Sequence, residues 1–303
     1  MLQNLYGSYV AIVTPMLTDG LVDFPTLGKL IDWHIEQGTH GIVSVGTTGE
    51  SATLEIDEHI EVIEYSVKRA AARIEVIAGT GANSTREAIE LTKMAEQVKA
   101  DACLLVVPYY NKPTQEGLYQ HYKAIADAVP IPQVLYNVPG RTIVDMQNDT
   151  VAKLAGIDNI IAIKDATGDI DRAKNLIDRL GNQIDILSGD DATALEHMKV
   201  GGRGNISVTA NVAPKLMSQM CEAAVTNDHT GSASQYALAE SINEQLSALN
   251  TDLFIESNPI PIKWAMHRLG LIENSIRLPM TLLASEFHQK IEVALTQAGI
   301  ELP

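Results

Sequence analysis

Eight short apolar runs, each followed by a segment of helical period, restrict what this chain can fold into more than any other feature. The runs are YVAIVTP (9–15), GIVSVG (41–46), IEVIAGTG (74–81), ACLLVVPYY (102–110), IPQVLYNVP (131–139), NIIAIKDAT (159–167), IDILSGD (184–190) and GNISVTAN (204–211). They are rich in β-branched residues and mostly do not alternate with polar ones, the pattern of parallel strands buried on both faces. Between them lie amphipathic stretches such as EHIEVIEYSVKRAAA (58–72) and STREAIELTKMAEQVKA (84–100), the second opening with Ser84 and Glu87 at capping-box spacing. Eight strand–helix units predict an α/β fold of the (β/α)8 or TIM-barrel type over residues 1–225. An open doubly wound sheet would prefer a GxGxxG fingerprint, and GTGANS (79–84) has only its first two glycines. From about residue 226 the strand signal stops. Residues 235–250, the stretch around 262–270 and residues 282–299 read as helices, predicting a C-terminal helical domain (226–303) that packs on the barrel or on a neighbouring subunit.

With 46% hydrophobic and 20% charged residues in 303, a sizeable core is affordable and disorder is not expected. A net charge of −16 argues against nucleic acid and anionic membranes as partners. An anionic small substrate is still allowed, provided its site is locally positive. Cys103 and Cys221 cannot build a disulfide framework or a zinc site, and Cys103 reads as a small buried hydrophobe inside ACLLVV. The N-terminal MLQNLYGSYVAIV lacks the basic region of a signal peptide, and no run reaches the roughly 20 apolar residues of a membrane span. A cytoplasmic protein is expected.

In such a barrel, chemistry collects at the C-terminal ends of the strands. Those ends supply Thr14, Gly46-Thr47-Thr48-Gly49-Glu50-Ser51, Gly79-Thr80-Gly81, Tyr109-Tyr110-Asn111, Tyr136 through Arg141, Lys164-Asp165, Ser188-Gly189-Asp190 and Ser207-Val208-Thr209. No His–carboxylate cluster stands among them, so no catalytic metal is expected. A lysine ending a run as apolar as NIIAIK has a natural reading as a nucleophilic amine. Attack on a carbonyl needs the unprotonated form, which a desolvated setting favours. Carbinolamine chemistry also needs a proton shuttle, for which Tyr136, Tyr110 and Thr47 are candidates. Arg141 suits bidentate capture of a carboxylate, and the GTTG turn offers N–H and hydroxyl groups to a second one. Each residue also has a structural reading. Lys164 can be a solvated strand end or the ion partner of Asp165, and Arg141 can pair with Asp145. Tyr136, Tyr110 and Tyr109 can be packing residues, and the helix cap accounts for Glu87.

GTTGESATL (46–54), PYYNKPTQEGLYQHY (108–122), YNVPGRT (136–142), IKDATGD (163–169), LSGDD (187–191) and GNISVTAN (204–211) together resemble the dihydrodipicolinate synthase family. The likeness extends through FIESNPIPIKWA (254–265) and RLPMT (277–281). It implies condensation of pyruvate with L-aspartate-4-semialdehyde, the entry to diaminopimelate and lysine synthesis. By the same resemblance Lys164 is the Schiff-base lysine and Tyr136 the general acid/base, in a relay with Thr47 and Tyr110. Tyr110 would reach into a neighbouring subunit's site, implying a dimer or a tetramer built as a dimer of dimers. Thr48 and Ile206 fall at positions that contact pyruvate, with Gly189 in the same substrate pocket, and Arg141 takes the semialdehyde's carboxylate. No cofactor is implied, because the imine itself is the electron sink. Ser51, Ala52, His59, Asn83, Glu87 and Tyr109 match positions of an inhibitory L-lysine site, whereas Ile56 stands where sensitive relatives often carry a histidine. Two other readings compete: a different pyruvate-imine lyase, such as an N-acetylneuraminate or keto-deoxy-sugar-acid aldolase, and a catalytically silent barrel.

Overall fold

In the computed structural model, which describes residues 2, 4–180, 183–225 and 233–303, the eight runs form one closed parallel barrel. Its strands are β1 (Gly7–Ala11), β2 (Gly41–Ser44), β3 (Glu75–Gly79), β4 (Ala102–Val106), β5 (Gln133–Asn137), β6 (Ile160–Asp165), β7 (Asp185–Ser188) and β8 (Gly204–Ser207). Neighbours in sequence are neighbours in space, and β8 closes on β1 with Tyr9 opposite Ile206. A helix follows each strand, from Phe24–Glu36 after β1 to Pro214–Ala224 after β8. The expected (β/α)8 architecture is therefore present.

Alternate residues of each strand divide between two apolar layers, because successive side chains point to opposite faces. Val43, Ile77, Leu104, Val134, Ala162 and Leu187 fill the barrel interior. Leu105, Leu135 and Ile163 point outward onto Leu118, Tyr122 and Ile125 of the helix Gln115–Ala128 and its surroundings. Double-sided burial explains why the runs do not alternate. Several runs outlast their strands, since residues beyond the last ladder bond remain covered. After β1, Ile12 and Val13 stay in the core, and the Val13 N–H donates to Asn211 Oδ1 at 3.0 Å.

Cys103 and Cys221 are both fully buried, and burial pushes the Cys103 thiol up to about 12, so it packs as an inert hydrophobe. Ser84 caps the helix Thr85–Gln97 by accepting the Glu87 N–H at 3.4 Å. The return bond of a capping box, from the Ser84 N–H to the Glu87 carboxylate, is not made, so the cap explains only half of that pair.

Beyond the barrel, helices span Ala233–Asp252, Ile260–Arg268 and His288–Gln297. The last is shorter than its sequence run, since Ser285–Phe287 form a 3₁₀ turn before it. Leu246, Trp264 and Leu295 from these helices share one apolar cluster with Ile12 and Met217 of the barrel. The expected domain boundary at 226 lies outside the described residues. No described helix is long and apolar enough to cross a membrane.

Candidate active site

Tyr136 on β5 and Lys164 on β6 are register partners, both pointing into the barrel mouth. Lys164 Nζ sits 4.5 Å from the centroid of the Tyr136 ring. Both residues are buried, at 5% and 6% exposure, yet both line a cavity of about 230 Å³. Lys164 forms no ion pair and no hydrogen bond within the described chain. Its neighbour Asp165 faces the other way, where Arg172 Nε donates to it at 2.7 Å and the Thr167 N–H at 2.9 Å. Strand alternation thus removes the Lys164–Asp165 pair, and burial removes the solvated strand end.

Thr47 and Thr48 enter the same cavity from the turn after β2. Val45 and Glu50 bracket that turn at φ 54° and 59°, a left-handed conformation that is strained for a β-branched valine. The turn is held from three sides. Thr14 Oγ1 donates to the Gly49 carbonyl at 2.7 Å, and Asn258 Nδ2 donates to Thr48 Oγ1 at 3.0 Å. The buried Lys263 ammonium pairs with the buried Glu50 carboxylate and donates to the Thr14 carbonyl at 3.1 Å. Burial pushes Lys263 below the usual lysine range, with Glu50 opposing it.

Arg141 reaches the cavity from the short helix Pro139–Thr142 and donates through Nη2 to the Asn258 carbonyl at 3.2 Å. It has no carboxylate partner. Asp145, the alternative, is engaged by Asn137 Nδ2 at 2.8 Å and Arg172 Nη1 at 3.1 Å. Lys164 and Arg141 line one cavity of a chain of net charge −16 and form no ion pair with a carboxylate among the described residues, an arrangement suited to an anionic ligand although Asp190 also lines the cavity. Gly189 shapes the floor, since a Cβ there would come within 2.7 Å of Lys164 Cε and 2.8 Å of Ala166 Cβ. Among the described residues no cluster of three or more His, Cys, Asp or Glu is arranged to hold a metal ion.

Two expected residues stand apart. Ile206 packs in the barrel interior at 1% exposure and does not line the cavity, where Val208 does. Tyr110 is 90% exposed and points away from its own site, with a backbone φ of 75°. Neither the Thr47 nor the Tyr136 hydroxyl has a hydrogen-bond partner among the described residues.

A larger cavity, of about 560 Å³, shares Thr47, Val138, Arg141 and Asn258 with the first. Although larger, it lacks Lys164 and Tyr136. Ser51, Ala52, Ile56, His59, Glu87 and Tyr109 line it. Asn83 does not, and its carbonyl instead accepts Asn111 Nδ2 at 2.8 Å. His59 donates through Nε2 to the Gly79 carbonyl at 2.7 Å, and burial pushes its pKa down, so the ring is neutral. Burial, with the Glu87 carboxylate adding to it, raises the Tyr109 phenol. Sequence reasoning assigned no part to Asn258, Phe254 or Lys263, although each lies in FIESNPIPIKWA; a lysine after the apolar PIPI was the available signal for Lys263.

A strand-end lysine beside a tyrosine at the mouth of a (β/α)8 barrel defines a lyase of the Schiff-base-forming class. Residues 4–298 match the model of the dihydrodipicolinate synthetase family, and the chain belongs to that family. The 4-hydroxy-tetrahydrodipicolinate synthase of Thioalkalivibrio sulfidiphilus (strain HL-EbGR7) is 61% identical over 297 residues, 98% of this chain and 99% of its own. That of Pseudomonas putida (strain W619) is 59% identical over 294 residues, 97% and 98% of the two chains. Among solved structures, the chloride-inhibited dihydrodipicolinate synthase of Acinetobacter baumannii complexed with pyruvate superposes with a TM-score of 0.94 at 58% identity, covering 98% of this chain and 100% of that one. The enzyme of Cyanidioschyzon merolae with lysine bound reaches 0.93 at 36% identity, covering 99% and 100%.

Proposed function

We propose that this chain is a 4-hydroxy-tetrahydrodipicolinate synthase, condensing pyruvate with L-aspartate-4-semialdehyde in lysine and diaminopimelate synthesis in the cytoplasm. The observation that carries the catalytic assignment is Lys164, buried, free of any carboxylate and 4.5 Å from the Tyr136 ring. Lys164 Nζ attacks the pyruvate keto carbon. The Tyr136 hydroxyl moves the protons that let the carbinolamine lose water and leave an imine. That imine withdraws electrons, Tyr136 takes a methyl proton, and the resulting enamine carbon bonds to the aldehyde carbon of the second substrate as the aldehyde π bond opens and its oxygen takes up a proton to become a hydroxyl. The semialdehyde's own amine then attacks the imine carbon and displaces Lys164, closing the ring. Thr47 links Tyr136 and Tyr110 in the proton relay, Thr48 holds the pyruvate carboxylate, and Gly189 leaves room for the lysine. Ile206 belongs to the same interior apolar cluster as Tyr136. Arg141 binds the semialdehyde carboxylate. Incubation with pyruvate and a panel of aldehydes tests the substrate class: consumption of aspartate semialdehyde supports the reading, and cleavage or synthesis of sugar acids instead refutes it.

Arg141→Ala separates the two subsites. Loss of one bidentate contact is expected to raise KM for the semialdehyde about 10–100-fold, with the pyruvate adduct still trapped by borohydride. Failure to trap pyruvate would show that Arg141 serves the first substrate.

Tyr110 completes the shuttle of a second copy, so we assign the working form as a homo-oligomer. Its 90% exposure supports that arrangement. The larger cavity is assigned to L-lysine, whose ammonium would meet Glu87 and whose methylene stem would lie against Ile56 and Leu91. Calorimetric titration with L-lysine decides this, since heat unchanged by Glu87→Ala would place the ligand elsewhere.

A further inference from the structure

The segment joining the helices Ala233–Asp252 and Ile260–Arg268 lines the active-site cavity with Phe254 and Asn258, and Asn258 touches both substrate subsites. Its side chain donates through Nδ2 to Thr48 Oγ1 at 3.0 Å. Its backbone carbonyl accepts Arg141 Nη2 at 3.2 Å. Asn258 is 4% exposed and lines both cavities, and its Oδ1 is buried with no partner. A buried acceptor left unsatisfied is destabilising, so packing stability does not account for a carboxamide here. The residue is also held in place: five positions on, Lys263 is clamped between Glu50 and the Thr14 carbonyl.

We propose that Asn258 is a positioning residue for pyruvate, acting through Thr48; the inference rests on the catalytic reading above. An amide N–H₂ only donates, so Thr48 Oγ1 must accept from it. With that lone pair engaged, the single Thr48 hydroxyl proton is directed away from Asn258 and toward the cavity, where a carboxylate can accept it. The substrate carboxylate thus meets a preoriented donor rather than a free rotor. The Arg141 contact uses backbone, so it survives substitution of the side chain.

Steady-state kinetics on Asn258→Ala, Thr48→Val and the double variant test this. Each single substitution is expected to raise KM for pyruvate about tenfold, the worth of one hydrogen bond to a charged group, while KM for the semialdehyde stays within about twofold. The double variant should be no worse than Thr48→Val alone, because the two residues act in series. The isosteric Asn258→Asp preserves shape should the alanine variant fail to fold. It should raise KM for pyruvate further than alanine does, since its carboxylate takes the Thr48 proton and repels the substrate's charge. Multiplicative single effects, equal losses for both substrates, or an Asp variant with unchanged KM would each overturn the proposal. Borohydride trapping of pyruvate by the unsubstituted protein runs alongside. No adduct there overturns the catalytic reading and this inference with it, whereas an adduct together with multiplicative variants overturns the inference alone.

Discussion

Lys164→Ala is expected to abolish pyruvate-dependent adduct formation and to reduce turnover by at least about 10⁴-fold, as for removal of a covalent nucleophile. Mass spectrometry after borohydride treatment checks it. The unsubstituted protein should gain mass on the peptide carrying Lys164, and the variant should gain none. Persistence of an adduct in the variant would move the nucleophile to another lysine, and Lys263, the other buried one, already neutralises Glu50. The same variant reports on Tyr110. Mixed with Tyr110→Phe, Lys164→Ala should regain activity on reassociation, because a mixed pair contains one site with an intact Lys164 and a Tyr110 from the other chain. Mixtures no more active than their parents would mean that Tyr110, at 90% exposure, serves no second copy.

Lys263→Met is expected to be the most destabilising single change, at about 3–5 kcal/mol. Lys263 and Glu50 are 3% and 5% exposed, and the Glu50 carboxylate also accepts the Arg277 N–H at 3.0 Å. Removing the ammonium strands a buried carboxylate whose Coulombic partner is gone. Adding Glu50→Gln should recover a large part of the loss, since a neutral pair carries no unpaired charge. Urea unfolding of the two variants measures it, and equal losses for the single and double variants would refute the ion-pair account. Activity should fall with stability, because Thr47 and Thr48 share the strained turn with Glu50.

The barrel and its catalytic pair were legible in the sequence for one physical reason. Parallel strands buried on both faces write continuous apolar runs, and a lysine or tyrosine ending such a run is conspicuous. NIIAIK and VLYN needed no tertiary information to stand out. The choice among the readings of Lys164 and Arg141 did. Asp165 and Asp145 are each adjacent enough in sequence to be partners, and only strand alternation and the reach of Arg172 assigned them elsewhere. Ile206 shows the converse, since its position in the run does not tell which barrel layer it occupies.

The apolar runs therefore determined the fold, and the residue types at their ends marked Lys164 and Tyr136 as candidates. Tertiary structure alone decided which polar groups remain free. Contacts between Asn258 and Thr48, or Lys263 and Glu50, join residues more than two hundred positions apart, and no local period records such a pairing. Burial and hydrogen-bond satisfaction are settled only when the C-terminal helices close over the turn. The same closure leaves Lys164 and Arg141 without an ion-pair partner among the described residues at the mouth of an acidic barrel.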